Sequence, residues 1–231
     1  MTYNIDIVLC LDLTLLGCVD FCKRFNNYLI SDIETALKCK NKNADNIRIK
    51  IIAFRDSCYV EERPVIEESR FFNLSRKESM EQEYFSAWIR HLKHSKRIEK
   101  SNALEGLALA INSEWTNEGD RLRHVIAMFT DAPAHKLEEA NTDNPSYPAN
   151  MPTSLAELGD LWNNTSADGN QDSKTKLKQP AKRLIIFAPQ EYPWPEIFED
   201  WEQVVYNPAH PGEGLDDVTY EDIIESIVGS V

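Results

Sequence analysis

Two aspartates and one threonine stand where their side chains could share a site. Asp12 follows the apolar run Ile5–Leu11, and Asp131 ends the apolar run Val125–Thr130. Thr14 adds a hydroxyl two residues after Asp12. If both runs are central parallel strands, both carboxylates lie at the carboxyl edge of one sheet, where open α/β folds bind ligands. The sequence therefore predicts a shared site at this edge.

The elements that would position these residues are short, continuous apolar runs, which are typical of strands covered on both faces. The runs are Ile5–Leu11, Ile47–Phe54, Val125–Thr130 and Leu184–Ala188, with a weaker candidate at Val204–Tyr206. Helical spacing of apolar residues separates them, in Cys22–Leu37, Leu104–Trp115 and Ile223–Val228. This alternation predicts a doubly wound, Rossmann-like α/β fold, with a mostly parallel sheet and helices on both faces.

Two further segments modify this architecture. Ser57–Val60 and Phe71–Leu74 flank a charged turn that contains Pro64, which predicts an edge hairpin and hence a mixed sheet. A long connection, Ala132–Pro180, is rich in Asn, Asp, Pro and Ser and leaves room for a short helix at Ser154–Trp162. We therefore expect a single domain over residues 1–231, with a loop insertion at about 132–180.

Charge and cysteine usage restrict the function classes. The 25 Lys and Arg against 38 Asp and Glu give a formal charge of −13, which disfavours nucleic acids and anionic membranes as partners. The five cysteines are odd in number and form no CxxC, so we expect free thiols in a reducing compartment. The amino terminus lacks a basic start, and Asp6 and Asp12 interrupt its apolar run. The sequence thus predicts a cytoplasmic protein.

The order of these motifs resembles the von Willebrand factor type A (VWA) domain. A strand, Asp-x-Thr and a helix are followed by a hairpin, a helix and a strand that ends in Thr-Asp. Three segments are similar to parts of standalone bacterial VWA proteins: Lys50–Ser57 (KIIAFRDS), Phe129–His135 (FTDAPAH) and Ala181–Pro189 (AKRLIIFAP). The resemblance implies a role in adhesion or assembly and not in catalysis.

The resemblance also implies a site for a divalent cation, Mg²⁺ or Mn²⁺, which a partner's carboxylate completes. In that family the first loop reads Asp-x-Ser-x-Ser, a second loop gives Thr and a third gives Asp. Asp12, Thr14 and Asp131 match three of these positions, whereas Leu16 replaces the second Ser. In the second loop Ser101 is the candidate hydroxyl. The implied metal site is therefore degenerate, with a weakly held ion or none.

The stretch before Ser101 is basic in an otherwise acidic protein. One hypothesis is that Lys96, Arg97 or Lys100 neutralises Asp12 and Asp131 in place of a metal, because paired carboxylates in a dry crevice raise each other's pKa. The alternative is a solvated basic loop. The three basic residues, together with His135 near the same edge, are the candidates for contact with a partner.

We thus expect a non-enzymatic module that binds a protein partner. By resemblance, the partner would be an ATPase, kinase or phosphatase of a bacterial stress or defence system. A metal-independent structural subunit of such an assembly is the alternative. A phosphohydrolase of the haloacid-dehalogenase type would use Asp12 as nucleophile, but Thr14 stands where its acid should be. No glycine-rich phosphate loop follows the first strand.

Overall fold

The computed structural model of the chain describes residues 2–58, 64–75, 80–96, 99–139, 143–164 and 175–231. Within these ranges seven strands form one sheet. They are β1 (Tyr3–Asp12), β2 (Asn46–Phe54), β3 (Ile66–Glu68), β4 (Phe72–Asn73), β5 (Arg121–Phe129), β6 (Lys182–Pro189) and β7 (Val204–Ala209).

The sheet confirms the predicted α/β class. Its order is β3-β2-β1-β5-β6-β7, with β4 also paired to β2, and the pairs among β2, β1, β5, β6 and β7 are parallel. β1 is central, and all ten of its residues are buried. The register places Leu11 beside both Ala53 and Phe129. The loops after β1, β2 and β5 therefore leave the sheet side by side at its carboxyl edge.

Helices cover both faces of the sheet, which explains the continuous apolar runs. The helices are α1 (Cys18–Cys39), α2 (Glu81–His91), α3 (Ala103–Ile111), α4 (Leu155–Asn163), α5 (Trp194–Asp200) and α6 (Tyr220–Gly229). Ile7 and Leu9 belong to a core shared with α1, α2 and α6. Val8 and Cys10 point to the opposite core, shared with α3, α4 and α5. Successive residues of a strand thus serve different cores.

The mixed character of the sheet is confirmed, but its edge differs from the predicted hairpin. Ile66–Glu68 and Phe72–Asn73 each pair antiparallel with β2, at different points along it. Ser57 lies in a turn, and residues 59–60 of the predicted strand Ser57–Val60 are outside the described residues. Both short strands thus pair with β2 and not with each other.

The long connection after β5 carries local structure. One 3₁₀ turn covers Leu137–Glu139, and α4 begins after Ser154, whose side chain accepts a hydrogen bond from the Glu157 amide as an N-cap. Residues 140–142 and 165–174 of the predicted loop lie outside the described residues. No helix in the described part of the chain is long and apolar enough to cross a membrane.

Candidate functional site

Asp12 lies at the end of the central strand and is fully buried. Its Oδ1 accepts hydrogen bonds from the Thr14 hydroxyl at 2.7 Å and the Thr14 amide at 2.8 Å. Its Oδ2 accepts one from the Thr130 hydroxyl at 2.7 Å. Both carboxylate oxygens are therefore engaged by groups of the protein itself.

Burial raises the pKa of Asp12, and the hydrogen bonds from Thr130 and Thr14, together with the nearby Ser101 hydroxyl, offset this only in part. At Asp12, these hydroxyl donors take the place of the basic side chain that one hypothesis from the sequence put there. Lys96 and Lys100 are exposed, and Arg97 lies outside the described residues.

Ser101 is brought to Asp12 by a short pairing of two loops. Its amide donates to the Pro133 carbonyl at 3.1 Å, and its carbonyl accepts from the His135 amide at 3.0 Å. Its hydroxyl is fully buried and, among the described residues, makes no hydrogen bond of normal length and angle, although it lies close enough to lower the pKa of Asp12. Ser101 thus sits where the sequence analysis placed the second-loop hydroxyl.

Asp131 is engaged by a different part of the chain, the segment His210–Val218 after β7, which we call the cover loop. The Asp131 Oδ2 accepts hydrogen bonds from the Gly214 amide at 2.9 Å and from the Leu16 amide at 3.4 Å. The Asp131 carbonyl accepts one from the Gly212 amide at 2.8 Å. The cover loop therefore closes over the third-loop aspartate.

The cover loop depends on Gly214. This residue has φ +78°, and a Cβ there would lie 2.9 Å from the Leu16 carbonyl oxygen. Sequence reasoning missed this contact, although the two glycines of Pro211–Gly214 (PGEG) marked a turn. Nothing in the sequence related that turn to Asp131.

Two clefts border the cover loop. One, of about 500 Å³, is lined by Leu16, Arg24 and Leu215, and the other, of about 650 Å³, by Lys100, Asp131 and Gly212. The side chain of Leu16 is 52% exposed at the rim. The accessible groups at the two clefts are thus mixed in character. Leu16, Arg24 and Lys100 lie there together with acidic residues, which are Asp20, Asp216 and Glu221 in the first cleft and Glu99 and Glu191 in the second.

The structure brings together Asp12, Thr14, Ser101 and Asp131, yet they do not fit a hard cation in this arrangement. Burial favours the neutral form of Asp12, and amides of the cover loop and first loop occupy Asp131 Oδ2. Leu16 offers no ligand atom. A cation here would have to displace the protein's own donors.

His135 lies beside the crevice and contacts a different acid. Its Nε2 is 2.9 Å from Asp56 Oδ1, and its side chain is only 17% exposed. Burial alone would raise the pKa of Asp56, but hydrogen bonds from His135 and the Cys58 amide outweigh it and the net pKa is lowered. The contact joins the segments Lys50–Ser57 and Phe129–His135.

Cys58 completes a cluster with these two residues. One potential ligand atom from each of Asp56, Cys58 and His135 lies within 4.8 Å of the others. Burial and the charge of Asp56 raise the pKa of the Cys58 thiol. The sequence predicted free thiols and did not relate any cysteine to His135. Cys58 is exposed, and its partner His135 lies 77 positions later.

A buried polar network supports this cluster from below. Asn102 Oδ1 accepts from the Ser57 amide at 2.6 Å, and its Nδ2 donates to Glu105 Oε1 at 2.7 Å. The same Glu105 oxygen accepts from the Tyr147 hydroxyl at 2.8 Å. Burial raises the pKa of Glu105, which these hydrogen bonds and the nearby His135 partly oppose. The turn at Ser57 is thereby fixed to the start of α3.

Comparison with known proteins adds evidence on the fold. No family model matches this sequence, and no curated protein matches it. A crystal structure of the pilus adhesin SpaC from Lactobacillus rhamnosus GG is similar over 98% of this chain and 31% of its own, at 9% identity and a TM-score of 0.52. A mutant of the PilB minor pilin from Streptococcus sanguinis covers 99% of this chain and 62% of its own, at 12% identity and a TM-score of 0.49.

The likeness to SpaC concerns the fold alone, because the identity is only 9%. This chain spans less than a third of the SpaC chain, at 31%. Neither comparison names a VWA domain, so the resemblance described above remains a prediction.

Proposed function

We propose that this chain is a protein-interaction module of VWA type, which binds a partner protein at the carboxyl edge of its sheet without needing a metal in the crevice. The observation that carries this proposal is the closed state of the acid pair. Hydroxyls hold Asp12 and backbone amides hold Asp131. The groups left for contact are the exposed residues at the rim, among them Leu16 and Lys100.

The burial of Asp12 supports a binding role over phosphoryl transfer. A nucleophilic carboxylate needs an approach path to the substrate, whereas Asp12 is fully buried and both of its oxygens accept hydrogen bonds. Thr14, whose hydroxyl donates to Asp12, offers no general acid. A closed acid pair is better suited to holding three loops in position than to attacking a substrate.

The rim suggests the chemistry of the partner. Leu16 offers an apolar contact, and the exposed Lys96 and Lys100 offer positive charge on a protein of formal charge −13. We therefore propose a partner segment that places an apolar side chain on Leu16 and a single acidic residue at Lys100, because Glu99 and Glu191 line the same cleft as that lysine. The five free cysteines favour a reducing compartment, so we place this interaction in the cytoplasm. By resemblance, an ATPase, kinase or phosphatase of the same system is the first partner to examine.

Site-specific photocrosslinking tests the proposal. A photoreactive amino acid at Leu16 or at Lys100 should capture the same protein in cells. The matched control is Tyr28, which is 57% exposed on α1. The captured protein, once purified, should bind the wild-type chain and bind Leu16→Asp at least about 10-fold more weakly, because a charge then enters an apolar contact.

Two results would count against this interface. If all three positions capture the same protein with equal yield, the binding surface does not lie at the carboxyl edge. If the purified partner binds Leu16→Asp as tightly as wild type, the chain is better described as a structural subunit with an inert crevice.

A further inference from the structure

We propose that Asp56, Cys58 and His135 form a binding site for Zn²⁺ or a similar transition-metal ion, separate from the crevice of Asp12 and Asp131. This proposal does not rest on the proposed function. It rests on three different ligand types, contributed by the loops after β2 and β5, which meet at the carboxyl edge of the sheet.

The ligand set suits this class of metal. Thiolate, imidazole and carboxylate together are typical zinc ligands, whereas Mg²⁺ prefers oxygen alone. With bond lengths of about 2.0–2.3 Å, ligand atoms around a tetrahedral ion lie about 3.3–3.8 Å apart. The three atoms here lie within 4.8 Å of one another, so a small contraction would enclose an ion.

The charges of the site also favour a dication. The Asp56 carboxylate and the Cys58 thiolate would balance its two charges, and the neutral imidazole of His135 adds none. On binding, the S–H bond of Cys58 breaks, a sulfur–metal bond forms and one proton passes to water. The ion takes the place of the hydrogen bond that now joins His135 Nε2 to Asp56 Oδ1.

A second, independent observation is the buried carboxylate below the cluster. Glu105 is fully buried, and its Oε2 makes no hydrogen bond within the described part of the chain. Glu105 and His135 are close enough to interact electrostatically. A cation bound by His135 would favour the ionised form of this buried carboxyl, which burial otherwise disfavours.

The surrounding contacts are those expected around a metal centre. The Cys58 amide donates to Asp56 Oδ1 at 2.7 Å, and Asn144 Nδ2 donates to the Ser57 carbonyl at 3.0 Å. Such outer contacts orient the ligands and are worth about 10–100-fold in affinity. Because Cys58 is exposed, a fourth position would face solvent and accept water or a partner's side chain.

Titration with Zn²⁺ and Co²⁺ tests the site on the full-length chain. We expect one equivalent of either ion to bind, and the Co²⁺ form to show a thiolate-to-metal charge-transfer band. Cys58→Ser should remove that band and weaken Zn²⁺ binding at least about 100-fold, more than loss of an outer contact. His135→Gln should weaken Zn²⁺ similarly but leave a weak thiolate band.

Cys39→Ser is the matched control, since Cys39 is the other exposed cysteine. It should bind both ions as wild type does, and circular dichroism should show all variants folded. The proposal is overturned if wild type binds neither ion, if Cys58→Ser binds Zn²⁺ as wild type does, or if Cys39→Ser is the variant that loses binding. None of these results depends on whether the rim binds a protein partner.

Discussion

Two acidic regions share the carboxyl edge of this sheet, and they differ in what holds their carboxylates. In the crevice, Asp12 and Asp131 accept hydrogen bonds from hydroxyls and backbone amides of the same chain. In the second region, Asp56 faces the imidazole of His135 and the exposed Cys58. The crevice resembles a metal-binding motif, and backbone amides of two loops hold its Asp131. The cluster matches no motif in the sequence; its Asp56 Oδ1 accepts hydrogen bonds from the His135 side chain and the Cys58 amide, and the Cys58 thiol beside them is exposed.

This difference teaches that the number of carboxylates does not define a metal site. What decides is whether other donors already satisfy the oxygens, and at what cost they could be displaced. A single peptide segment serves both regions, because Phe129–His135 carries Asp131 at one end and His135 at the other. A substitution in one region should therefore leave the other region intact, which the following variants test.

The largest effect on stability should come from Asp131→Ala. It leaves the amides of Gly214 and Leu16 without their acceptor, and buried unsatisfied donors each cost about 1–3 kcal/mol. We expect a loss of about 2–4 kcal/mol in the free energy of unfolding, measured by urea denaturation. Asp131→Asn keeps an oxygen acceptor and should lose less than half as much. Equal losses would mean that the charge, and not the acceptor, stabilises the cover loop.

A smaller loss is expected from Gly214→Ala, which would force the cover loop away from the first loop. The new Cβ meets the Leu16 carbonyl at 2.9 Å, and φ is +78°. Gly17 is a matched control, because it has φ +76° but no atom within 4 Å of an added Cβ. Gly17→Ala should cost about 1 kcal/mol, and Gly214→Ala about 1 kcal/mol more. Equal costs would argue against a close contact between the two loops.

The third prediction concerns pH and Asp12. Because the pKa of Asp12 is raised in the folded state, the stability that it contributes is fully present below its ordinary value of 3.8 and is lost as pH rises through the folded pKa. Asp12→Asn removes this titration. As pH rises from 4 to 8, the free energy of unfolding of the variant should therefore increase relative to that of wild type. Chemical denaturation of both proteins at pH 4 and at pH 8 measures this difference.

The pKa of Asp56 is shifted in the opposite direction from that of Asp12. Its pKa is lowered, so its contribution is present above its ordinary value of 3.8 and is lost as pH falls through the folded pKa. Asp56→Asn should lose stability at pH 7 and converge with wild type in acid. If both variants changed in the same direction with pH, the contrast between the two regions would be wrong.

The smallest effect should come from Leu16→Ser, which supplies the hydroxyl that the predicted resemblance to VWA domains would place at this position. The Leu16 side chain is 52% exposed, so the free energy of unfolding should change by about 0.5 kcal/mol or less. The variant should still not respond to Mg²⁺, because the Gly214 amide continues to occupy Asp131. A Mg²⁺-dependent rise in Tm for Leu16→Ser alone would show that Leu16, and not the cover loop, closes the site.

The parallel core could be predicted from the sequence because four of its five strands contain an apolar run, which burial of both faces of the sheet requires; β7, with the sequence VVYNPA, gave a weaker signal. The ends of the helices were harder to predict. The apolar pattern continues to Trp115, whereas α3 ends at Ile111, and Trp115 packs against the same core from the following turn. At the antiparallel edge, the predicted strand Phe71–Leu74 contains β4, but β3 was missed, because Ile66–Glu68 is short and half-buried and carries little apolar signal.

The candidate site could be predicted in part for a similar reason. Asp12, Thr14 and Asp131 follow strands, so their meeting follows from topology. The cover loop lies about 80 residues after Asp131 and contacts it through backbone amides, which no side-chain pattern encodes. The cluster of Asp56, Cys58 and His135 likewise depends on two loops that only the parallel pairing of β2, β1 and β5 brings together.

The most direct test of this account is the thermal midpoint of the wild-type chain in EDTA, in millimolar Mg²⁺ or Mn²⁺, and in micromolar Zn²⁺, alongside Asp131→Ala and Cys58→Ser. An ion at about 100 times its dissociation constant stabilises by about 2.7 kcal/mol, which is several degrees for a chain of this size. We predict no shift with Mg²⁺ or Mn²⁺, and a rise with Zn²⁺ that persists in Asp131→Ala and disappears in Cys58→Ser. A rise with Mg²⁺ or Mn²⁺ that Asp131→Ala abolishes would contradict the account, because the crevice would then be the working metal site.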